Sequence, residues 1–193
     1  MLSVLRNEVE SGDPGLADTV RRETETMRRQ VDHHLARARA AATVNVLRAR
    51  TVIEPRASSL VRAMRRIHQD RGIVFDLQCP PELAFRGEGE DLDEILGNLL
   101  DNAGKWARSR VAISVAEAGG KIKVAVMDDG PGLSEGQART VLARGQRLDE
   151  SVPGTGLGLS IVKDMVAIYG GELVLTRAPS GGLLAELTLP MAA

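Results

Sequence analysis

The chain has 193 residues, of which 43% are hydrophobic and 26% charged, a composition typical of a globular protein. Its 25 basic and 26 acidic residues leave a formal net charge of −1, without the basic excess typical of nucleic-acid-binding domains. The single cysteine, Cys79, excludes an internal disulfide and favours a reducing compartment. No apolar run approaches the ~18 residues needed to cross a bilayer, and acidic residues occur too early for a signal peptide. The sequence predicts a cytoplasmic chain that makes no direct contact with nucleic acid.

The first part of the chain has a helical pattern of its own. Apolar residues between Leu2 and Val9 repeat at spacings of three and four, and turn-forming residues follow at 11–15. A heptad seam then recurs from about 16 to 45, which predicts a long helix whose apolar stripe needs another helix to cover it. Residues 1–48 are therefore predicted to form a separate helical segment that pairs with a second copy of the chain.

The remainder, 52–193, has the alternating patterns of a mixed α/β domain. Residues 133–153 are polar and lack a clear strand pattern. Helices are predicted at 58–68, 91–107 and 158–169, and strands at 73–77, 83–85, 111–115, 121–127, 173–176 and 183–189.

The predicted helix at 91–107 has a polar border along its apolar stripe. On a helical wheel Glu94, Asn98, Asn102 and Lys105 lie within ~80° of one another, and Trp106 falls on the neighbouring apolar side. Two carboxamides and an ammonium group in this arrangement can hold a divalent cation and the phosphates that it bridges. An ordinary amphipathic helix explains this segment, taken alone, equally well.

An acidic residue and two glycines follow the predicted strand at 121–127. Asp128 at the strand end, with Gly130 and Gly132 after it, places a fixed acceptor beside backbone that a ligand can approach closely. Such a carboxylate can accept a hydrogen bond from an exocyclic amine such as that of adenine. Taken alone, an Asp-Gly turn is the better explanation.

A second glycine segment opens the predicted helix at 158–169. Its exposed N–H groups and the helix N-terminus favour a phosphate ligand. Lys163 lacks the preceding glycine of a P-loop, Leu159 stands where a dinucleotide fingerprint needs glycine, and Val162 excludes a nucleophile elbow around Ser160. The segment consists of Gly154, Thr155, Gly156, Leu157, Gly158 and Leu159.

About twenty residues separate the two glycine segments. They contain Arg139, Arg144 and Arg147, and their length and polarity suit a mobile lid over an anionic ligand. A solvated surface loop remains the alternative.

Taken in order and at these separations, the three segments resemble the nucleotide-binding domain of bacterial sensor histidine kinases. That domain belongs to an ATP-binding group with type II topoisomerases, heat-shock chaperones and mismatch-repair ATPases. Residues 94–106 resemble the N box of the family, and 128–132 and 154–159 resemble its two glycine boxes. The resemblance covers about 52–193. It implies an α+β fold of the Bergerat type, a two-layer α/β sandwich with a mixed sheet and helices on one face, with Mg-ATP between the helices and the lid.

The resemblance implies roles for the N-box helix and the first glycine box. Asn102 would be the main Mg²⁺ ligand, and Asn98 would assist in holding metal and phosphates. Lys105 would reach the phosphates, Trp106 would lie near the adenine, and Asp128 would accept from the adenine amine. Asn98 and Lys105 are the candidate catalytic groups of this helix.

The resemblance also implies roles for the backbone cradle and the lid. Gly130 and Gly132 would border the nucleotide, and Arg144 and Arg147 would contact it from the lid, with Arg147 as a further catalytic candidate. The phosphates would be held by Gly154, Thr155, Gly156, Leu157, Gly158 and Leu159.

Two departures from family patterns bear on the reaction. Topoisomerase-type relatives carry a catalytic Glu where Asn98 stands, so this sequence favours phosphotransfer over activation of water. Leu142 and Gly145 occupy positions where the lid usually carries a phenylalanine box, and an Arg-Gly-Gln-Arg lid occurs in a subgroup of these kinases.

Residues 1–48 resemble the dimerisation and phosphoacceptor hairpin of these kinases, but only from just beyond its H box. The acceptor histidine is therefore expected to lie before Met1. His33 and His34 fall in what resembles the second hairpin helix, where packing or surface roles are expected, and His68 ends a predicted helix.

The resulting hypothesis is the catalytic core of a two-component sensor kinase that binds Mg-ATP without phosphorylating itself. The parent protein is expected to be a protein-histidine kinase and a homodimer through the hairpin. It would lie at the inner membrane with a cytoplasmic kinase core, and would pass the phosphoryl group to the receiver domain of a response regulator in a phosphorelay. The alternatives are an ATP-hydrolysing relative of the chaperone or topoisomerase type and a non-enzymatic module for nucleotide binding or helix pairing.

Overall fold

A computed structural model describes residues 49–142 and 158–193 of the chain. The predictions made for 1–48, and those for 143–157, lie outside the described residues. In chain order the elements are β1 (Arg50–Val52), α1 (Ile53–Ile67), a 3₁₀ turn (Gln69–Arg71), β2 (Val74–Gln78), β3 (Ala84–Arg86), α2 (Gly89–Trp106), β4 (Arg110–Ala118), β5 (Lys121–Asp128), α3 (Glu135–Val141), α4 (Gly158–Ile168), β6 (Glu172–Arg177) and β7 (Leu183–Pro190).

Five strands form a mixed sheet in the order β2-β4-β5-β7-β6. Strand β2 runs parallel to β4, and the other neighbouring pairs are antiparallel. The parallel pair needs a long crossover, which contains α2. Gly119 and Gly120, with φ of 60° and 73°, form the turn of the β4–β5 hairpin. Strands β1 and β3 form a separate antiparallel ribbon.

The core lies between one face of this sheet and the helices α1, α2 and α4. Alternate residues of β4, β5 and β7 are buried on that face, as the two-residue period of a half-covered sheet requires. On the opposite face lie polar residues such as Ser114 and the ion pair of Lys123 with Glu186, whose Nζ and Oε1 are 2.6 Å apart. The predicted two-layer α/β sandwich is confirmed.

Three elements differ from the sequence prediction. Helix α1 begins at Ile53 rather than at 58, because Pro55 lies in the first turn, where its missing N–H costs no helical hydrogen bond. Strand β1 was not predicted, because its three residues are too few to show an alternating pattern. Helix α3 falls in the stretch without a predicted element, although its capping box of Ser134 and Gln137 is a sequence signal for a helix start.

Candidate functional site

Helix α2 carries the predicted polar border. Its apolar stripe is buried against the sheet and the neighbouring helices, and Asn98, Asn102, Lys105 and Trp106 are half-buried beside it. Half-burial restricts each side chain while leaving its polar end accessible. The stripe consists of Leu92, Ile95, Leu96, Leu99, Leu100, Ala103 and Gly104.

The Asn98 carboxamide is oriented by its own helix. Its Nδ2 donates a hydrogen bond of 2.8 Å to the Glu94 carbonyl, which only an N–H group can do, so the position of Oδ1 is assigned. That oxygen faces the start of α4, where a Cβ built on Gly158 would lie 3.0 Å from it. The N-box helix and the end of the second glycine box therefore meet at Asn98.

Lys105 is engaged within α2 in this structure. Its Nζ lies 2.6 Å from Oδ2 of Asp101, one turn earlier, and both side chains are partly exposed. Partly exposed pairs of this kind contribute ~1 kcal/mol or less, so the ammonium can exchange Asp101 for another anion at little cost.

Asp128 is the last residue of β5 and is only 3% exposed. Its Oδ1 accepts from the backbone N–H of Gly130 at 2.8 Å and from that of Leu183 at 3.2 Å. Burial raises the pKa of this carboxyl, against the lowering effect of the two N–H groups. Since both of these hydrogen bonds reach Oδ1, Oδ2 can accept from a ligand.

Close backbone packing surrounds Asp128. A Cβ on Gly130 would clash with the Trp106 carbonyl and lie 2.8 Å from Asp128 Oδ1. A Cβ on Gly182 would clash with the Asp128 carbonyl and lie 2.6 Å from the same Oδ1. Gly132 has φ of 71°, and a Cβ there would lie 2.6 Å from the Gly181 carbonyl. The ends of β5 and α2 and the β6–β7 turn therefore approach one another through backbone atoms.

The β6–β7 turn contributes to this site in a way that was not predicted from the sequence. Besides the Leu183 N–H, the Ser180 hydroxyl donates to the Asp128 carbonyl at 3.3 Å. The Gly181-Gly182 pair was an available signal for a close approach, but its partner at Asp128 is about fifty residues away in sequence.

Asp129 also belongs to this site and was not predicted from the sequence. Its carboxylate accepts hydrogen bonds from the backbone N–H groups of Arg108, Ser109 and Arg110 and from the Ser109 hydroxyl. Desolvation raises the pKa of Asp129, but these donors outweigh it and hold the pKa well below its usual range. The carboxylate therefore connects the end of β5 to the segment that follows α2.

The C-terminus of α2 is capped by a residue distant in sequence. The Arg71 guanidinium donates to the carbonyls of Gly104 at 2.7 Å, Lys105 at 3.1 Å and Ala107 at 2.6 Å. A cation at the carbonyl end of a helix is favourable both as a hydrogen-bond donor and toward the helix dipole. The 3₁₀ turn thus holds the end of the helix that carries the N box.

Part of the predicted phosphate cradle and lid is outside the described residues. Gly158 and Leu159 begin α4, and the Leu159 side chain is buried in the core, so only its backbone is available to a ligand. The remaining members stay predictions from sequence: Arg144, Arg147, Gly154, Thr155, Gly156 and Leu157.

The oxygen donors at α2 suit a hard divalent cation. Across 49–142 and 158–193 no group of three or more His, Cys, Asp or Glu side chains is placed to hold a metal. The carboxamide oxygens of Asn98 and Asn102 are the ligand type that Mg²⁺ accepts beside phosphate and water. Within the same ranges no helix is long and apolar enough to span a membrane.

Comparison with known proteins identifies the class of this domain. Residues 87–193 match the family model described as histidine kinase-, DNA gyrase B-, and HSP90-like ATPase, which covers more than half of the chain. The chain belongs to this family. Among its members, it is similar to the ATPase domain of sensor histidine kinases.

Individual relatives support that subgroup. The sensor protein kinase CarS of Pseudomonas aeruginosa is 37% identical over 191 residues, which cover 99% of this chain and 42% of CarS. The virulence sensor histidine kinase PhoQ of Salmonella typhimurium is 31% identical over 191 residues, which cover 96% of this chain and 38% of PhoQ. The chain thus spans about two fifths of the length of these curated relatives.

Solved structures share the architecture. The mycobacterial sensor histidine kinase MprB matches with a TM-score of 0.67 and 28% identity, over 75% of this chain and 97% of that structure. Full-length ShkA in complex with AMPPNP matches with a TM-score of 0.69 over 90% of this chain and 39% of that structure. Because its identity is 22%, the ShkA match supports the fold alone.

Proposed function

We propose that this domain binds Mg-ATP and, within a sensor kinase, transfers the γ-phosphoryl group to a histidine for relay to a response regulator receiver domain. The observation that carries the proposal is the buried Asp128 carboxylate, whose Oδ1 is held by two backbone N–H groups. Its Oδ2 can accept from the exocyclic amine of adenine. Guanine presents a carbonyl at the equivalent position, so the site should select ATP over GTP.

The phosphates are proposed to lie between α2 and the N-terminus of α4. The Asn98 carboxamide oxygen faces Gly158, and Asn102 lies one turn further along α2. Both would hold Mg²⁺, which supplies charge neutralisation to the phosphates when bound. Lys105 would exchange Asp101 for a phosphate oxygen, and the lid arginines Arg144 and Arg147 would add positive charge.

Asn98 supports phosphotransfer rather than hydrolysis. A carboxamide cannot take a proton from water near neutral pH, whereas a carboxylate at the same place could act as a general base. With no base at this position, the domain would act through positioning and charge stabilisation of the transferred group.

The acceptor is proposed to be a histidine other than His68. His68 is 8% exposed and packs against Phe75, with a ring-centroid distance of 5.9 Å, so its ring is not free to meet a phosphoryl group. His33 and His34 lie outside the described residues, and the sequence predicts packing or surface roles for them. We therefore propose that this chain binds nucleotide without phosphorylating itself.

Calorimetric titration with Mg-ATP and Mg-GTP tests nucleotide binding. The proposal expects ATP to bind and GTP to bind at least about tenfold more weakly, since a lost hydrogen bond to a buried charge costs ~1.5–3 kcal/mol. Absence of ATP binding, or equal affinity for the two nucleotides, would overturn it.

Incubation with γ-labelled ATP tests the reaction type. No stable label is expected on the chain alone, and label should appear on an added acceptor hairpin of this kinase class. Label on the chain itself would contradict the proposal for the acceptor. Sustained phosphate release without any acceptor would instead support an ATP hydrolase.

A further inference from the structure

The Asp129 carboxylate accepts five hydrogen bonds from residues 108–110. Oδ1 accepts from the N–H groups of Arg108 at 2.8 Å, Ser109 at 3.1 Å and Arg110 at 3.2 Å. Oδ2 accepts from the Ser109 N–H at 3.1 Å and from its hydroxyl at 2.6 Å. Three successive backbone donors around one carboxylate fix both the side chain and the segment that supplies the donors.

That segment joins the two parts of the proposed site. Residues 108–110 follow directly on α2, which ends at Trp106, and lead into β4. The β4–β5 register places Val111 opposite Asp128, so Asp129 continues the contact beyond the last paired residues. Gly130 then lies against the Trp106 carbonyl with no room for a Cβ. Asp129 therefore connects the end of the N-box helix to the first glycine box.

We infer that Asp129 is a positioning residue for adenine recognition, because it holds the Asp128 carboxylate at a fixed distance from the end of α2. This inference rests on the proposed function. The Asp129 carboxylate contacts the backbone of 108–110 and not the Asp128 carboxylate. Its effect on the nucleotide is therefore transmitted through the backbone of 128–130. The Gly130 N–H that holds Asp128 Oδ1 belongs to the residue directly after Asp129.

The substitution Asp129→Asn replaces one carboxylate oxygen with an NH₂ group and changes the shape of the side chain little. In Asp129→Asn the side chain keeps one acceptor oxygen, but its NH₂ group is a donor and faces donors of the 108–110 segment. An oxygen at the Oδ1 place can still accept from all three N–H groups, but the NH₂ group then faces the Ser109 N–H, and the negative charge that strengthens these hydrogen bonds is lost. The contact that fixes the 128–130 backbone against the end of α2 is therefore weakened. The Asp128 carboxylate should lose its alignment with the adenine amine.

The discriminating measurement is the ratio of affinities for ATP and for inosine triphosphate. Inosine carries a carbonyl in place of the exocyclic amine and an N1–H in place of the N1 acceptor, and is otherwise the same as adenosine. The ratio therefore reports recognition of the base edge that is proposed to face Asp128. For Asp129→Asn we expect ATP affinity to fall about tenfold while the affinity for inosine triphosphate changes much less. A purely structural role would lower both affinities together and leave the ratio unchanged.

Two further variants complete the test. Asp76→Asn is the matched control, because Asp76 pairs at 2.7 Å with the Arg110 side chain, on the same segment but outside the Asp129 contact, and the ratio should stay at the wild-type value. Ser109→Ala removes one donor to Asp129 and should lower the ratio about threefold, which also serves if Asp129→Asn does not fold.

The outcomes separate this inference from the proposed function. If the wild type does not bind ATP or does not prefer it to inosine triphosphate, the proposed function fails. If the wild type shows the preference but Asp129→Asn, or Ser109→Ala in its place, retains the full ratio, the positioning role is overturned while the proposed function stands. A reduced ratio in Asp76→Asn equal to that in Asp129→Asn would also overturn it.

Discussion

At Asp128 the requirements of ligand binding and of folding oppose each other. Burial raises the pKa of this carboxyl, so the folded chain holds the proton more tightly than the unfolded chain does. The stability that this group contributes is therefore present at low pH and is lost as the pH rises through the folded pKa. The ionised form of this carboxyl therefore costs stability, and in the proposed function it supplies the acceptor for the adenine amine.

We predict that Asp128→Asn separates these two effects. The amide oxygen can still accept from Gly130 and Leu183, so the melting temperature without nucleotide should equal or exceed that of the wild type at pH 7. The rise in stability with Mg-ATP, about 2.7 kcal/mol at ~100 times the dissociation constant for the wild type, should disappear. Melting curves with and without nucleotide check both parts.

The control for this prediction is Asp93→Asn, which removes a partly exposed ion pair with Arg56. Its melting temperature should change little and its response to Mg-ATP should persist. An Asp128→Asn protein that melts well below the wild type yet keeps its response to nucleotide would contradict the prediction.

His68 makes stability depend on pH through a buried, unpartnered atom. Its Nε2 has no hydrogen-bond partner among the residues that the structure describes. Desolvation lowers the pKa of His68, Arg71 and Lys105 lower it further, and Asp101 opposes them. Because the folded pKa is depressed, the unfolded chain binds the proton more readily, and stability falls as the pH drops below the ordinary value of ~6.5.

We predict that His68→Leu flattens this pH dependence. Leucine removes the unpartnered nitrogen and cannot be protonated, so unfolding free energies at pH 7 and pH 5 should differ less than in the wild type. Urea unfolding at the two pH values measures the difference. Identical pH dependence in the two proteins would show that His68 is not the group responsible.

At the scale of elements, α2 is the part of the fold on which the site depends most. Arg71 caps its C-terminus, and the carboxylate of Asp129 holds the segment after it. Near the same end, Gly104 packs against His68 and Phe75, and a Cβ there would lie 2.5 Å from Nε2 of His68 and 3.1 Å from Cζ of Phe75. Gly97, on the same helix, has nothing within 4 Å of its Cβ position.

We predict opposite effects for the same substitution at these two glycines. Gly104→Ala should destabilise the domain by about 1–3 kcal/mol, because His68 and Phe75 are buried and have little space to move. Gly97→Ala should be neutral or stabilise by up to ~1 kcal/mol, since alanine is the better helix former. Denaturant unfolding of both variants checks the difference, and equal effects would contradict the assigned packing.

At the scale of the whole molecule, the proposed nucleotide would connect parts of the chain that no single element holds. Asn98 on α2, Gly158 at the start of α4 and Asp128 at the end of β5 surround it, whereas β2 lies at one edge of the sheet. Ligand contacts should therefore suppress local opening where these elements meet more than at the sheet edge.

We predict a corresponding pattern of hydrogen exchange. At short labelling times Mg-ATP should protect 94–106, 128–132 and the first turn of α4, while Val74–Gln78 should change little. The Asp128→Asn protein under the same conditions should show no protection. Protection of β2 equal to that of 128–132 would indicate a different binding location.

Helix α2 and the β4–β5 and β6–β7 hairpins follow from local patterns in the chain, whereas the two-layer architecture was implied by the family resemblance. The apolar period along 91–107 and the Gly119-Gly120 turn each involve residues close in sequence. The same patterns place Asn98, Asn102 and Lys105 on one border of α2. These features need no information about distant parts of the chain.

Other features arise only when distant segments pack together. The central pairing of β5 with β7, the Leu183 and Ser180 contacts to Asp128, and the Arg71 cap on α2 each join residues about thirty or more positions apart. An Asp-Gly sequence has the same local pattern whether its carboxylate is buried or solvated. Burial among backbone donors contributed by other strands and helices is what makes Asp128 a candidate recognition group and Asp129 a connection between the two halves of the site.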